Sequence, residues 1–308
     1  MTDTEHRSGF VGLVGLPNAG KSTLMNQLMG MKLSIISPKP QTTRNRIMGV
    51  LNGEHYQLAV VDTPGIHRPR GRLHQAMVRT AEDVIPDMDV VCWVLDLRPS
   101  LGRMERNQPM MTDGLKHIAK LLQSASKVIV ALNKMDGVSK PKLLPILQAL
   151  SEALPEAELI PISARTGAGV QTLIEAWIQG VPEAPALFSK ETYTDVTERF
   201  LVSELIREKI FQLTNQEIPY STAVEVEAFQ ETESRIEIFA KIWVERDSQK
   251  GIIIGQGGQR LKEIGTRARR DIQKMLDARV HLDLQVSLMQ NWSDDPRRLR
   301  SLGFDSGQ

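Results

Sequence analysis

Gly15-Leu16-Pro17-Asn18-Ala19-Gly20-Lys21-Ser22 follows an apolar run, Phe10 to Val14, and precedes an amphipathic one, Ser22 to Met29. This is the phosphate-loop pattern GxxxxGK(S/T) in the strand–loop–helix setting it requires. Gly15 and Gly20 let the backbone curl, so that successive N–H groups point inward at phosphate oxygens. The helix opening at Lys21 adds its dipole and its unpaired donors. Lys21 is expected on the β- and γ-phosphates and Ser22 on Mg²⁺, with Leu16, Pro17, Asn18, Ala19 and Thr23 completing the cradle. A glycine turn that binds nothing needs neither the lysine nor the serine at these offsets.

Further along, Ser37 to Arg44 is a polar, proline-broken stretch able to swing. In a phosphate-loop nucleotidase a threonine from such a loop completes the Mg²⁺ shell while the γ-phosphate is present. Thr42 and Thr43 are both candidates, Thr43 the preferred one. The strand Gln57 to Val61 then ends in Asp62-Thr63-Pro64-Gly65. Asp62 can hold Mg²⁺ through water, and Gly65 can offer its N–H to the γ-phosphate. Alone, this motif is also a good turn sequence.

A third strand, Lys127 to Leu132, ends in Asn133-Lys134-Met135-Asp136. Guanine presents two N–H donors on one edge, and one carboxylate, Asp136, can accept both. Adenine lacks that pair and would leave the carboxylate without partners, which is costly. Asn133 can meet the N7 side, and the stem of Lys134 can cover the base face. In Ser163-Ala164-Arg165 a backbone N–H, that of Ala164, is expected to donate to guanine O6. Strands alternating with helices from residue 1 to 181 predict a doubly wound, mostly parallel sheet with its ligand at the strands' C-terminal ends. Residues 98–113 show no clear period and read as a loop.

Composition sets the outer limits. The 308 residues suffice for about two domains. The 38 basic and 37 acidic side chains give no net charge that would point to a partner. One cysteine, Cys92, lies in an apolar run, so no disulfide framework is expected and a reducing compartment fits. Met1 to Ser8 is polar, with no apolar core of a leader, and no run approaches membrane-spanning length. The six histidines stand singly, without metal-ligand spacing.

The second half has a different grammar. Residues 182–197, rich in proline and polar side chains, read as a linker. A helical pattern follows from Phe200 to Leu213. Ser221 to Phe229 and Arg235 to Val244 alternate apolar and polar residues, as paired strands do. Gly255-Gln256-Gly257-Gly258 then sits between two helical patterns, and Val280 to Leu288 supplies a third strand. A GxxG loop in this context is the KH arrangement, which clamps four nucleotides of single-stranded nucleic acid because glycine admits close phosphate approach. Between Arg246 and Arg300 there are 12 Lys/Arg against 7 Asp/Glu, a surplus of five on a chain otherwise near neutral. Lys250, Arg260, Lys262, Arg267, Arg269 and Arg270 cluster beside the loop and suit phosphate contact. The domain reading is therefore 1–181, linker 182–197, a smaller α+β KH domain of type II at 198–291, and a tail at 292–308.

GLPNAGKS, PQTTRNRI, DTPG, NKMD and SAR, followed by a GQGG loop, closely resemble the Era GTPases of bacteria. Phe200 to Lys209, Pro219-Tyr220-Ser221, Trp292 and Leu299 to Gly303 support the likeness, which covers nearly the whole chain. The resemblance implies a monomeric, cytoplasmic, partly inner-membrane-associated GTPase using GTP, GDP and Mg²⁺. It further implies binding to the 3′ end of 16S ribosomal RNA and a role in rRNA processing and small-subunit biogenesis. One departure bears on catalysis: Ile66 stands where many small GTPases carry a water-positioning glutamine. No general base is assignable, and slow intrinsic hydrolysis follows unless another group helps. GTPases that resemble this one in carrying asparagine at the Asn18 position can use it to coordinate K⁺. The alternative is an RNA-binding module that holds a nucleotide with little hydrolysis. A tRNA-modifying function would call for a C-terminal cysteine or a further catalytic domain, and neither is found.

Overall fold

The computed structural model describes residues 6–37, 39–69, 71–138, 140–214 and 218–304. These form two compact units. The first holds described residues of 1–34, 43–69 and 77–195, the second those of 35–42, 70–76 and 196–308.

In chain order the first stretch reads β1 (Arg7–Val14), α1 (Lys21–Met29), β2 (Ile47–Asn52), β3 (Tyr56–Asp62), α2 (Arg72–Asp83), β4 (Val90–Asp96) and α3 (Leu97–Met104). It continues with α4 (Asp113–Leu122), β5 (Val128–Asn133), α5 (Leu144–Ala153), β6 (Glu158–Pro161) and α6 (Val170–Gly180). The six strands lie in the order β2-β3-β1-β4-β5-β6, and only β2 runs antiparallel to its neighbour. Helices cover both faces, so the inner strands are apolar throughout: Val90 to Leu95 is buried at every position. One core includes Val14, Trp93, Leu132 and Leu150, the other Leu13, Val94, Ile129 and Trp177. The order reverses between β1 and β4, the switch point of the sheet, where folds of this kind take their ligand beyond the carboxyl ends of the strands.

Two expectations are corrected here. Within residues 98–113, expected as a loop, Arg98 to Met104 belongs to α3, which Asp96 caps by accepting from the Arg98 N–H at 3.1 Å. Nor is the proline-rich stretch after Val181 a free connector. Ser8 N–H donates to Pro182 O at 3.2 Å, and Val50 N–H to Tyr193 O at 2.9 Å. Gln57, 1% exposed, grips Phe188 twice, accepting from its N–H at 2.8 Å and donating to its carbonyl at 2.9 Å. The stretch straps the β2 edge, where open backbone groups would otherwise invite non-native pairing.

The second unit contains α7 (Glu198–Leu213), β7 (Thr222–Glu231), β8 (Ile236–Val244), α8 (Asp247–Ile254), α9 (Gln259–Leu276), β9 (Val280–Leu288) and α10 (Pro296–Ser301). Its sheet has the order β7-β8-β9, β8 pairing antiparallel with β7 and parallel with β9. Ile264, Ala268 and Ile272, four apart on α9, join Ile206, Ile210, Ile238 and Ile242 in one core. The residues expected as a tail also pack. Trp292 is fully buried, donates Nε1–H to Ser221 O at 3.2 Å, and stacks on Phe304 with ring centroids 6.1 Å apart.

Candidate nucleotide site and nucleic-acid loop

Four loops at the C-terminal strand ends of the first unit build the site. In the phosphate loop Gly15 has φ +153°, and a Cβ there would lie 2.4 Å from Val94 O. Gly20 has φ +105°, and its Cβ would lie 2.2 Å from Asn133 Nδ2. Both glycines are therefore required by close approach as well as by backbone conformation. Lys21 is buried and donates Nζ–H to the Gly15 and Leu16 carbonyls, each at 3.2 Å, which folds it back over the loop. Burial lowers its pKa to about 8 against the pull of Asp62. A phosphate would relieve that cost by giving the cation an anion to face. Thr23 follows in the first turn of α1, half-buried.

Ser22 Oγ and Thr43 Oγ1 lie 2.7 Å apart, so Thr43 is brought to the head of α1. The carbonyl of Thr42 instead accepts from Arg207 Nη2. Asp62 is fully buried, and neither carboxylate oxygen has a hydrogen-bond partner. Burial pushes its pKa up, opposed by Lys21 and then by the nearby hydroxyls of Ser22, Ser34 and Thr43. A buried carboxylate without partners is expensive. Beside two hydroxyl oxygens it fits Mg²⁺, which takes few protein oxygens and keeps several waters and substrate phosphates. Among the described residues no cluster of three or more His, Cys, Asp or Glu offers a different metal site.

The DTPG loop lies hard against the phosphate loop. Thr63 Oγ1 donates to Leu13 O at 2.7 Å, a structural bond that Pro64 and Gly65 follow. A Cβ on Gly65 would meet Pro17 at 2.7 Å, and Ile66 N–H donates to Gly15 O at 3.0 Å. Ile66 is 1% exposed and belongs to the core, so it faces away from any attacking water.

At the base end Asn133 joins three loops. Its Nδ2 donates to Ala19 O at 2.8 Å, while Oδ1 accepts from Lys134 N–H at 2.8 Å and Ala164 N–H at 2.9 Å. The Ala164 amide, expected on guanine O6, is thus directed to Asn133 in this arrangement; sharing it would require a bifurcated bond. Lys134, at φ +67°, donates Nζ–H to Asn18 O at 2.6 Å and pairs with Asp96 at 2.7 Å. Asp136 accepts from Ser163 Oγ at 2.9 Å and pairs with Arg165. The Ser163 bond leads the effects that hold its carboxyl below the ordinary aspartate range. Asp96 and Arg165 were not among the sequence candidates. Asp96 carried a readable trace as the acidic end of the β4 run, but its partner lies 38 residues away.

In the second unit Gly255, Gly257 and Gly258 have φ +71°, +58° and +78° between α8 and α9. Cβ atoms on Gly257 and Gly258 would meet nothing within 4 Å, so the backbone beside exposed Gln256 lies open. Arg260 folds back along the surface of α8, donating Nη1–H to Ile252 O at 2.7 Å. Arg267 pairs with Glu263 at 2.6 Å, and Arg270 stands 3.8 Å from Asp271. Lys262 and Arg269 are exposed and seven apart, on one face of α9, and Lys250 is half-buried on α8.

Comparison with known proteins accords with both halves. A family profile described as a 50S ribosome-binding GTPase matches residues 10–134, and a KH domain profile matches residues 217–293. The chain is 47% identical to a GTPase Era of Syntrophus aciditrophicus, over 97% of this chain and 95% of that protein. It is 44% identical to one from Geobacter metallireducens, over 99% and 100%. A crystal structure of Era in complex with MgGDPNP and nucleotides 1506–1542 of 16S ribosomal RNA superposes with a TM-score of 0.89 at 36% identity, covering 97% of this chain and 99% of that one. An Aquifex aeolicus Era variant bound to GDP·AlF4⁻ gives 0.85, also at 36% identity and with the same coverage. With such identity sustained across both units, the chain belongs to the Era GTPase family.

Proposed function

We propose that this protein is a Mg²⁺-dependent GTPase that binds the 3′ end of 16S ribosomal RNA through its GxxG loop and acts in rRNA processing and small-subunit biogenesis. The observation that carries the nucleotide half is Asp62, a fully buried carboxylate without hydrogen bonds, set beside the Ser22–Thr43 hydroxyl pair and Lys21. Ser22, Thr43 and Asp62 would hold Mg²⁺, which when bound neutralises phosphate charge as the β–γ bond breaks. Residues 15–23 would cradle the phosphates by backbone N–H donation, with Lys21 adding charge. Asp136 would read the guanine edge, and Asn133 would offer its second amide hydrogen to N7. Lys250, Lys262, Arg269 and Arg270 would meet RNA phosphates around Gly255 to Gly258, with Arg260 bracing the loop.

That the protein works in the cytoplasm, touches the inner membrane peripherally and is monomeric when free belongs to this reading through family likeness. No helix among the described residues is long and apolar enough to cross a membrane.

Two measurements on one preparation test the proposal. Single-turnover phosphate release from GTP should be Mg²⁺-dependent and lost in Lys21→Ala. An oligonucleotide of the 16S 3′ end should bind in preference to a scrambled one. A second reading, a nucleotide-holding RNA binder with little hydrolysis, draws on the inward-facing Ile66. It prevails if GTP binds but no phosphate appears with RNA present.

A further inference from the structure

A pocket of about 280 Å³ lies at the start of α8, at the opposite end of that helix from the glycine loop. Its lining comes from the second unit alone. Gln249 decides what it can hold. The side chain is 3% exposed, and its Oε1 accepts from the N–H groups of Glu245 at 2.9 Å and Arg246 at 3.1 Å. Two backbone donors on one oxygen settle which end of the amide is which, and they leave the nitrogen to the pocket that Gln249 lines. That Nε2 has no acceptor among the described residues. Buried donors are nearly always satisfied, so the pocket calls for an acceptor.

Acceptors stand there too. Glu245 Oε1 accepts from Ser293 N–H at 3.2 Å and from Ser293 Oγ at 2.5 Å, and Asp294 Oδ1 accepts from Arg72 N–H at 3.1 Å. Each carboxylate has a second oxygen outside these bonds. The guanidinium groups of Arg72 and Arg246 stand against the two carboxylates, a balance that favours neither a bare phosphate nor a cation. Tyr220 adds a wall that can stack, its ring held edge-on by Phe211 with centroids 5.8 Å apart. A flat, neutral group carrying both donors and acceptors matches this lining. We propose that the pocket receives one unpaired RNA base, splayed from the strand that the glycine loop clamps. Single-stranded RNA is read in this manner, by stacking on aromatic rings with hydrogen bonds to the base edges. Gln249 would donate to a ring nitrogen or carbonyl, and Glu245 or Asp294 would accept from an amino or imino group. With eight residues α8 spans about 12 Å, a gap that nucleotides adjoining the four at the loop can bridge. The inference rests on the RNA reading above.

The test is an abasic scan of the 16S 3′-end oligonucleotide, read by anisotropy in wild type, Gln249→Glu and Tyr220→Leu. Gln249→Glu keeps the oxygen that holds two backbone N–H groups and exchanges the donor for an acceptor. In wild type, removing one base beyond the four at the loop should cost roughly tenfold in affinity, within the range of base–aromatic stacking. Each variant should bind the intact oligonucleotide roughly tenfold more weakly. Removing that same base should then cost nothing further, while the penalties at every other position stay as in wild type. An unchanged scan profile in both variants overturns the proposal, whether affinity is at the wild-type level or lowered evenly. The first result would mean that the pocket holds only solvent, the second that these side chains are purely structural. Wild-type binding with no preference for the 16S sequence over a scrambled one would instead overturn the RNA reading, and the inference with it.

Discussion

Asn133 Nδ2 donates to the Ala19 carbonyl at 2.8 Å, which fastens the loop after β5 directly to the phosphate loop. Gly20 has no Cβ because one would stand 2.2 Å from that same nitrogen. The phosphate end and the base end of the nucleotide site are therefore one braced object. Lys134 repeats the link from the other side through Asn18 O. Asn133→Ala removes bonds to three loops at once and leaves the Ala19 carbonyl and two N–H groups without this partner. We expect a stability loss of about 2–4 kcal/mol by chemical denaturation and nucleotide affinity reduced at least a hundredfold by equilibrium titration. Gly20→Ala should behave similarly because it strikes the same contact.

Asp136 lies at the mouth of that braced site with Ser163 bonded to one carboxylate oxygen. That bond lowers its pKa below the ordinary aspartate range, so the carboxylate stays ionised to more acidic pH than a free aspartate. As an acceptor for two donors it would select guanine. Asp136→Asn should shift preference from GTP towards xanthosine triphosphate, whose altered edge matches an amide. Competition binding with the two nucleotides checks this, and an unchanged preference for GTP would remove Asp136 from the base pocket.

The strap over β2 depends on Gln57, whose amide makes three bonds: two with Phe188 and one, at 2.8 Å, to Asn52 Oδ1. Gln57→Ala leaves the half-buried N–H and carbonyl of Phe188 in the strap without this partner. A loss of about 2–3 kcal/mol is expected in urea unfolding. Protease cleavage within 182–195 should precede global unfolding in this variant.

Such contacts mark where the sequence stops being readable. The phosphate loop, DTPG, NKMD and the GxxG loop are legible because each packs its chemistry into a few adjacent residues of fixed type. Alternation and apolar runs give the strands for the same local reason. Gln57 meets Phe188 across 131 positions, and Trp292 meets Ser221 across 71, with no local pattern to announce either. Asp96 reads only as the end of a buried run, although its side chain caps α3 and holds Lys134.

Cys92 lies within β4, fully buried, and burial pushes its thiol up to about 12. The reactive species is the thiolate, so at pH 8 almost none is present in the folded protein. A thiol reagent such as 5,5′-dithiobis(2-nitrobenzoate) should leave Cys92 untouched under native conditions and react stoichiometrically in denaturant. The rate of slow native labelling then reports global unfolding. Rapid native reaction would place Cys92 outside the sheet interior.

At the GxxG loop a side chain on Gly258 would point into open space, so folding offers little resistance to Gly258→Asp. Aspartate tolerates the positive φ at a cost of about 1 kcal/mol. What it adds is bulk and negative charge where RNA phosphates would lie. RNA affinity should fall by roughly tenfold or more at moderate salt, with GTP binding unaltered. Survival of RNA affinity in a filter-binding or anisotropy titration would show that the loop does not clamp the backbone.

Catalysis poses the last question, because Ile66 is packed into the core and orients no water. Charge building between the β- and γ-phosphates must be met by something else. Asn18 is exposed in the phosphate loop at φ +61°, and its carbonyl is fixed by Lys134 Nζ at 2.6 Å. Its backbone is thus held, and GTPases that resemble this one in carrying asparagine here can use it to coordinate K⁺ in the place an arginine finger would take. If Asn18 helps coordinate K⁺ there, turnover in KCl should exceed that in NaCl by roughly tenfold or more at equal ionic strength, a fraction of what an arginine finger supplies. Asn18→Ala should abolish the difference while leaving GTP affinity nearly unchanged. Alanine at this φ costs about 1 kcal/mol in either salt, so the ratio between salts isolates the ion from the strain. Equal turnover in the two salts, with and without the RNA, would leave Asn18 as a loop brace and K⁺ without a role.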